Sequence, residues 1–359
     1  MSANPIRVLI VDDSAVVRAI LRDGLAADPF IEVVGTARDA FEARDLIVER
    51  SPQVLTLDVE MPRMDGVDFL RRLMPQYPIP VVMVSSHTER GREVTMSALA
   101  AGAVDFVTKP NKTMNQGVEQ MMMELRTKIK IASTANVSHW KHRRPAPAPA
   151  AATRAREDRI VAVGASTGGT DAIRELLCSM SPNMPGILVV QHMPAGFTAT
   201  FAALLNTATP FQVREAADGD RVTPGTVLIA PGGRQCVIEA AGEGFKVRIL
   251  GEQRVNGHAP SVDVMMRSVG RIAGKRSIGV ILTGMGTDGA QGMLEMRKAG
   301  AFTIAQDEAS SVVYGMPREA WEIGAACVTR PLNSVGEAIS AALHPAGAAE
   351  PARSNQLAE

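Results

Sequence analysis

The stretch "AVGASTGGTDAI", residues 162–173, poses a choice between two chemistries. An apolar, β-rich run reaches a cluster of small residues and passes directly into a helical pattern, the layout of a strand–turn–helix unit in a parallel α/β sheet. Glycine-rich turns of this kind commonly cradle phosphate. A dinucleotide cradle needs G-x-G-x-x-G and a P-loop needs G-x-x-x-x-G-K-[ST]; the stretch has neither spacing, and no lysine follows Gly169. It does spell G-x-S-x-G from Gly164 to Gly168, the pattern in which a sharp turn lifts a serine out at the top of a sheet. Taken alone the pattern is weak, because small residues at such turns often serve only close packing.

A serine nucleophile needs a base, so the six histidines can be weighed in turn. His139 and His142 lie in or beside a linker-like stretch, His344 in the tail and His87 in the first half of the chain. His192 ends the apolar run "GILVVQ", which places it at the carboxyl end of the next strand, and adjacent parallel strands would bring it close to Ser166. His258, in "NGHAPSVD", fits a loop or substrate contact better than a base. The carboxylate that orients the imidazole is expected to be Asp288, just past the buried run in "GVILTGMGTDGA", with Asp307 as its competitor. Asp171 is better explained as a first-turn carboxylate favoured by the helix dipole. Backbone N–H groups after Ser166, with another at Met285, could serve the oxyanion. A methionine taken singly is more often packing.

The same strand–helix rhythm runs on both sides of one break in composition. "RRPAPAPAAATRAR", residues 143–156, can build no core and suggests a semi-extended linker. From Arg126 to Arg159 there are nine basic residues against two acidic; a solvated hinge is the plainer explanation and docking on an acidic partner the sharper one. Before the break, "RVLIV", "EVVGTA", "VLTLD", "VVMVS" and "DFVTK" suggest a flavodoxin-like, doubly wound parallel sheet of five strands. After it, "RIVAVGAS", "GILVVQH", "TVLIAP", "SIGVILTG" and "AFTIAQD" imply a second, mainly parallel α/β domain, with "QCVIEAAGEGFKVRIL" as an antiparallel hairpin turning at Gly242 to Gly244. The expected boundaries are 1–130, a connecting segment 131–158, 159–344, and a disordered tail 345–359.

Lys plus Arg and Asp plus Glu are 38 each, so no global field recruits nucleic acid or a membrane surface. The second domain shows no helix-turn-helix pattern or basic recognition helix. Three scattered cysteines, with no C-x-x-C, suggest neither a disulfide framework nor a zinc site. The N-terminal apolar run is too short for a signal peptide, and no stretch nears the ~18 apolar residues of a membrane span. A reducing cytoplasm is the expected location, and nothing demands more than a monomer.

In a parallel sheet, ligands bind beyond the carboxyl ends of the strands. Those ends carry Asp12 and Asp13, Asp58, Ser85 and Lys109 in the first domain. Three converging carboxylates repel one another without a cation and therefore imply a bound divalent ion, Mg²⁺ on oxygen ligands. With Lys109 as a fixed positive charge and Ser85 as a hydroxyl for an incoming oxyanion, the set suits phosphoryl transfer onto Asp58.

"VDDS", "LDVEMPRMDG", "VMVSS" and "DFVTKP", in this order and each at a strand end, closely resemble the receiver domain of two-component response regulators, over residues 6 to about 130. The resemblance implies Asp58 as phospho-acceptor, Mg²⁺ on Asp12 and Asp13 with the Glu60 carbonyl, and Ser85 with Phe106 as the switch pair. Followed by "GASTGG", "QHMPAGFT", "APSVD" and "ILTGMGTDGA", it extends to the chemotaxis response regulators that are protein-glutamate methylesterases and glutamine deamidases, the CheB family. That likeness implies Ser166, His192 and Asp288 as a triad with the Met285 N–H in the oxyanion hole, and no cofactor for the ester chemistry. It also implies methyl-accepting chemotaxis proteins as substrate, a chemotaxis histidine kinase as phosphodonor, and an unphosphorylated receiver that covers the active site. The same hydrolase acting on another protein ester in a paralogous signalling pathway is the alternative.

Overall fold

A computed structural model of the chain describes residues 4–86, 88–110, 115–142 and 157–343. His87, the Pro/Ala-rich stretch 143–156 and the segment from His344 onward lie outside the described residues. The first domain alternates β1 (Ile6–Val11), α1 (Ala15–Ala26), β2 (Ile31–Ala37), α2 (Ala40–Arg50), β3 (Val54–Asp58), α3 (Gly66–Gln76), β4 (Val81–Ser85), α4 (Glu89–Ala100), β5 (Asp105–Thr108) and α5 (Asn115–Ala132). Its parallel sheet has the order β2-β1-β3-β4-β5, as the sequence rhythm predicts. The last four residues of β1 and all of β3 and β4 are buried, because helices cover both faces, so these strands are continuous apolar runs without alternation.

Helix α5 runs unbroken through the expected boundary at residue 130, and a 3-10 turn, Ser138–His142, follows. The second domain then comprises β6 (Ile160–Ala165), α6 (Gly169–Ser179), β7 (Gly186–Gln191), α7 (Phe197–Ala208), β8 (Gln212–Glu215), β9 (Arg221–Val222), β10 (Thr226–Ile229), β11 (Cys236–Ala241), β12 (Gly244–Ile249), α8 (Val262–Ala273), β13 (Ser277–Ile281), α9 (Ala290–Lys298), β14 (Phe302–Gln306), α10 (Met316–Glu322), β15 (Val328–Arg330) and α11 (Leu332–Leu343). Seven parallel strands form the sheet β15-β14-β13-β6-β7-β10-β8. The expected hairpin is β11–β12, turning at Gly242 with φ +65° and joined by β9 into a small antiparallel sheet.

The central strand β6 lies between β7 and β13, where the chain reverses its winding direction. This is the switch point at which an open α/β sheet leaves a crevice beyond its strand ends. Three turns open into it, after β6, β7 and β13. Gly164, the last residue but one of β6, makes this packing possible: a Cβ there would lie 2.2 Å from Val262 Cγ1 on α8. Gly164→Ala is expected to destabilise the protein by about 1–3 kcal/mol through overpacking; a denaturant melt matching the unchanged protein would contradict this.

Candidate active site

The register sets the site. Ala165 pairs with Gln191, so Ser166 and His192 are the next residues on neighbouring strands. His192 N donates to Ala165 O at 3.1 Å and Ser166 N to Thr283 O at 3.0 Å, fixing the serine turn between the two flanking strands. The chain then enters α6 through Gly168 at φ +76°, a left-handed turn that favours glycine. Gln191 Nε2 donates to Ser166 O at 2.9 Å and steadies the turn from β7.

His192 Nε2 lies 2.9 Å from Asp288 Oδ2, and both side chains are buried. A ring that donates through Nε2 to a carboxylate keeps a lone pair on Nδ1. Nδ1 is buried and has no hydrogen-bond partner among the described residues, so it is the nitrogen available to take a proton. The ring therefore uses its two nitrogens in the opposite sense from a chymotrypsin-type triad. Burial works against the Asp288 charge, but the bonds from His192, Asn256 and Ser261 outweigh it and hold the carboxyl down at about 2.

The competitor Asp307 takes no part: its Oδ1 accepts from Ser310 N and Oγ. Asp171 sits in the first turn of α6 and pairs with Arg174 at 2.8 Å, as the helix-dipole argument expects. His258 stacks on the His192 ring, with centroids 3.6 Å apart and planes within 3°. Burial, followed by the nearby His192, pushes the His258 pKa down to about 4, so it stays neutral beside His192. Its loop position was legible; the stacking was not, because nothing in spacing specifies which side chain a ring covers.

Oxyanion donors are fewer than the sequence suggests. Gly169 N donates to Ser166 O, and Gly168 N donates across the domain boundary to Val104 O at 3.2 Å. Met285, half-exposed after β13, has an N–H that donates to no described residue. Beside it a Cβ on Gly284 would stand 2.7 Å from Ser166 Cβ, so glycine is what lets this loop approach the serine.

The first domain covers the site. Thr167 Oγ1 donates to Asp105 Oδ2 at 2.8 Å, and the Phe106 ring packs 4.5 Å from Phe197 at the start of α7. Asp105 is in turn paired with Lys128 of α5 at 3.0 Å. The crevice left among Phe106, Ser166, Thr167, His192 and Met193 holds about 20 Å³, room for one water and no side chain of a substrate.

At the far end of β5 lies the acidic pocket. Oxygens of Asp12, Asp13 and Asp58 lie within 4.8 Å of one another. Lys109 Nζ reaches Asp12 Oδ2 at 3.0 Å and Asp58 Oδ2 at 2.8 Å. Burial pushes Asp58 up to about 6, against the pull of Lys109. Three hard oxygen donors crowded at that cost fit a divalent cation such as Mg²⁺. Ser85 Oγ, expected to face this pocket, instead bonds Gly91 O and Thr95 Oγ1 of α4. Glu60 N lies 3.4 Å from Asp58 Oδ1.

Fold and site together place a doubly wound α/β domain with an acidic pocket against a second α/β domain that carries a buried histidine–aspartate pair beside a serine turn. Residues 8–119 match the family described as the response regulator receiver domain, and residues 161–339 that described as CheB methylesterase. A protein-glutamate methylesterase/protein-glutamine glutaminase of Syntrophotalea carbinolica is 56% identical over 93% of this chain and 96% of its own length. The second such protein of Pseudomonas aeruginosa is 48% identical over 93% of the chain and 96% of its own length. The crystal structure of the Thermotoga maritima CheB methylesterase catalytic domain is 36% identical, with a TM-score of 0.50, covering 51% of this chain and 97% of that one. The chain belongs to the CheB family of protein-glutamate methylesterases/protein-glutamine glutaminases.

The depressed Asp288 pKa has a stability consequence. Relative to an ordinary carboxyl, the ionised form contributes roughly 2 kcal/mol, fully present above about pH 4 and lost as pH falls toward about 2. Asp288→Asn is expected to lower stability by that order at neutral pH, with the gap closing in acid. Denaturant melts across that range check it, and a gap independent of pH would contradict the assignment.

Proposed function

We propose that Ser166, His192 and Asp288 form the catalytic triad of a phosphorylation-gated hydrolase. The observation that carries this reading is the buried His192–Asp288 pair beside the G-x-S-x-G turn. His192 Nδ1 takes the Ser166 proton as Oγ attacks the γ-carbonyl of a glutamyl methyl ester. Asp288 stabilises the imidazolium, and the Met285 N–H and the turn after Ser166 receive the oxyanion. Methanol leaves with the proton from His192. Water then splits the acyl-enzyme, leaving a glutamate carboxylate and the free serine. On a glutamine side chain the same steps release ammonia.

The substrate in this reading is the cytoplasmic part of methyl-accepting chemotaxis receptors, and a chemotaxis histidine kinase donates the phosphoryl group to Asp58. Asp12, Asp13 and Asp58, with the Glu60 carbonyl, would hold Mg²⁺, which supplies charge neutralisation for the incoming phosphoryl oxygens. Residues 1–130 act as receiver, 131–158 as the connection and 159–344 as the catalytic domain. No described helix is long and apolar enough to cross a membrane.

Gating follows from Asp105 and Phe106, which lie on β5 between the phospho-acceptor end and the serine turn. Lys109 would sense the phosphoryl group, the Ser85 hydroxyl would turn to it from its bonds on α4, and Phe106 would leave its place against Phe197 as the domain interface shifts between two states.

Methylated receptor membranes treated with this protein, Mg²⁺ and a small phosphodonor are expected to release methanol, faster than without the donor. Ser166→Ala is expected to be silent. Equal silence of both proteins would contradict the receptor substrate. Asp105→Ala, which removes both the Thr167 bond and the Lys128 pair, is expected to raise activity without the donor by roughly tenfold, the equivalent of about 1.4 kcal/mol of lost closure. Unchanged basal activity would remove Asp105 from the gate.

A further inference from the structure

The sequence "NGHAPSVD" does more than supply His258. A buried carboxylate needs donors to offset its desolvation, and Asp288 finds most of its donors in this one loop. Ser261 Oγ donates to Asp288 Oδ1 at 2.7 Å and Val262 N to Oδ2 at 2.7 Å, so Asp288 caps the N-terminus of α8. The relation is reciprocal. Asp263, buried in the first turn of α8, accepts from Gly289 N at 3.0 Å and Gly292 N at 2.6 Å, at the start of α9. Each helix is thus capped by the acid that leads the other, and a Cβ on Gly292 would stand 2.8 Å from Asp263 O.

Between the two acids sits one amide. Asn256 Nδ2 donates to Asp263 Oδ2 and to Asp288 Oδ1, both at 2.8 Å. Its φ of +53° is left-handed, a conformation that asparagine tolerates better than most residues. Both amide hydrogens are therefore committed to buried carboxylates, which are otherwise joined by the longer bond from Asp263 N–H to Asp288 Oδ1 at 3.4 Å. We propose that Asn256 is a positioning residue of the triad: it ties Asp288 to a second buried carboxylate, Asp263, and so keeps Asp288 aimed at His192 Nε2. This rests on the triad reading above and extends it by one residue.

The groups facing this network come from several elements. His258 stacks on His192, Arg254 acts on His258, and Arg267 lies 3.9 Å from Asp263. Across the domain boundary, Asp105 lines the crevice edge and is paired with Lys128. All of these side chains are retained in the variants at residue 256.

Two variants separate positioning from folding. Asn256→Gly deletes the amide while remaining at ease at positive φ. Asn256→Asp keeps the shape but replaces both donors with a third negative charge. The full-length proteins, held with Mg²⁺ and a phosphodonor, are compared by methanol release and by the labelling rate of Ser166 with a fluorophosphonate, each across pH. Asn256→Gly is expected to lose roughly tenfold in kcat with KM unchanged, and to label correspondingly slowly. Asn256→Asp is expected to move the acidic limb of its pH–rate profile upward by about one unit, because an added anion favours the protonated base. Wild-type labelling rates and an unmoved limb in both variants would overturn the proposal, as would losses wholly accounted for by a smaller folded fraction. Labelling without methanol release from the wild type would defeat the substrate reading alone, since the labelling comparison still decides the role of Asn256.

Discussion

Two hydrogen bonds across a domain boundary determine what this molecule can do in the state described. The Val104 carbonyl accepts from Gly168 N–H, and the Asp105 carboxylate accepts from the Thr167 hydroxyl. Both donors belong to the turn that carries Ser166. The start of β5 thus lies directly against the serine turn, and Phe106 packs on Phe197 beside it. The opposite end of the same short strand leads into Lys109, which is bonded to Asp58. Two residues, Val107 and Thr108, lie between Phe106 at the domain contact and Lys109 at the acidic pocket, so no long pathway is required to connect them.

Both sites obey one rule of parallel sheets. Side chains at the carboxyl ends of neighbouring strands converge, and helix N-termini there favour negative charge. In the first domain this gathers three acids for a cation. In the second it gathers a serine, a histidine and an aspartate, with the aspartate stabilised by the N-terminus of α8. The paired capping by Asp263 and Asp288 is the same physics applied twice, and it fixes a loop that glycines have made able to approach closely.

Much of this was legible in the sequence. The apolar runs marked the ten principal strands of the two parallel sheets, because buried parallel strands leave no alternation to confuse. β8 and β15 at the sheet edges and the two-residue β9 were not marked, since short, partly exposed strands carry little apolar pattern. That Ser166 and His192 follow paired residues on neighbouring strands was readable from strand ends alone. What stayed hidden depended on distance in the chain: Thr167 meeting Asp105, His258 covering His192, and Asn256 joining two aspartates. Spacing says where a residue falls along the fold, and rotamers and neighbouring elements decide what it touches. Ser85 shows the same limit, standing at the predicted strand end with its hydroxyl turned to α4.

The most direct measurement is amide hydrogen exchange at Gly168, whose N–H is bonded to Val104 O. Without a phosphodonor this amide is expected to be protected. With Mg²⁺ and phosphodonor its exchange is expected to accelerate in step with the gain in hydrolysis, as β5 leaves the serine turn. Equal protection in both conditions, with activity nonetheless raised, would contradict a gate built from this contact.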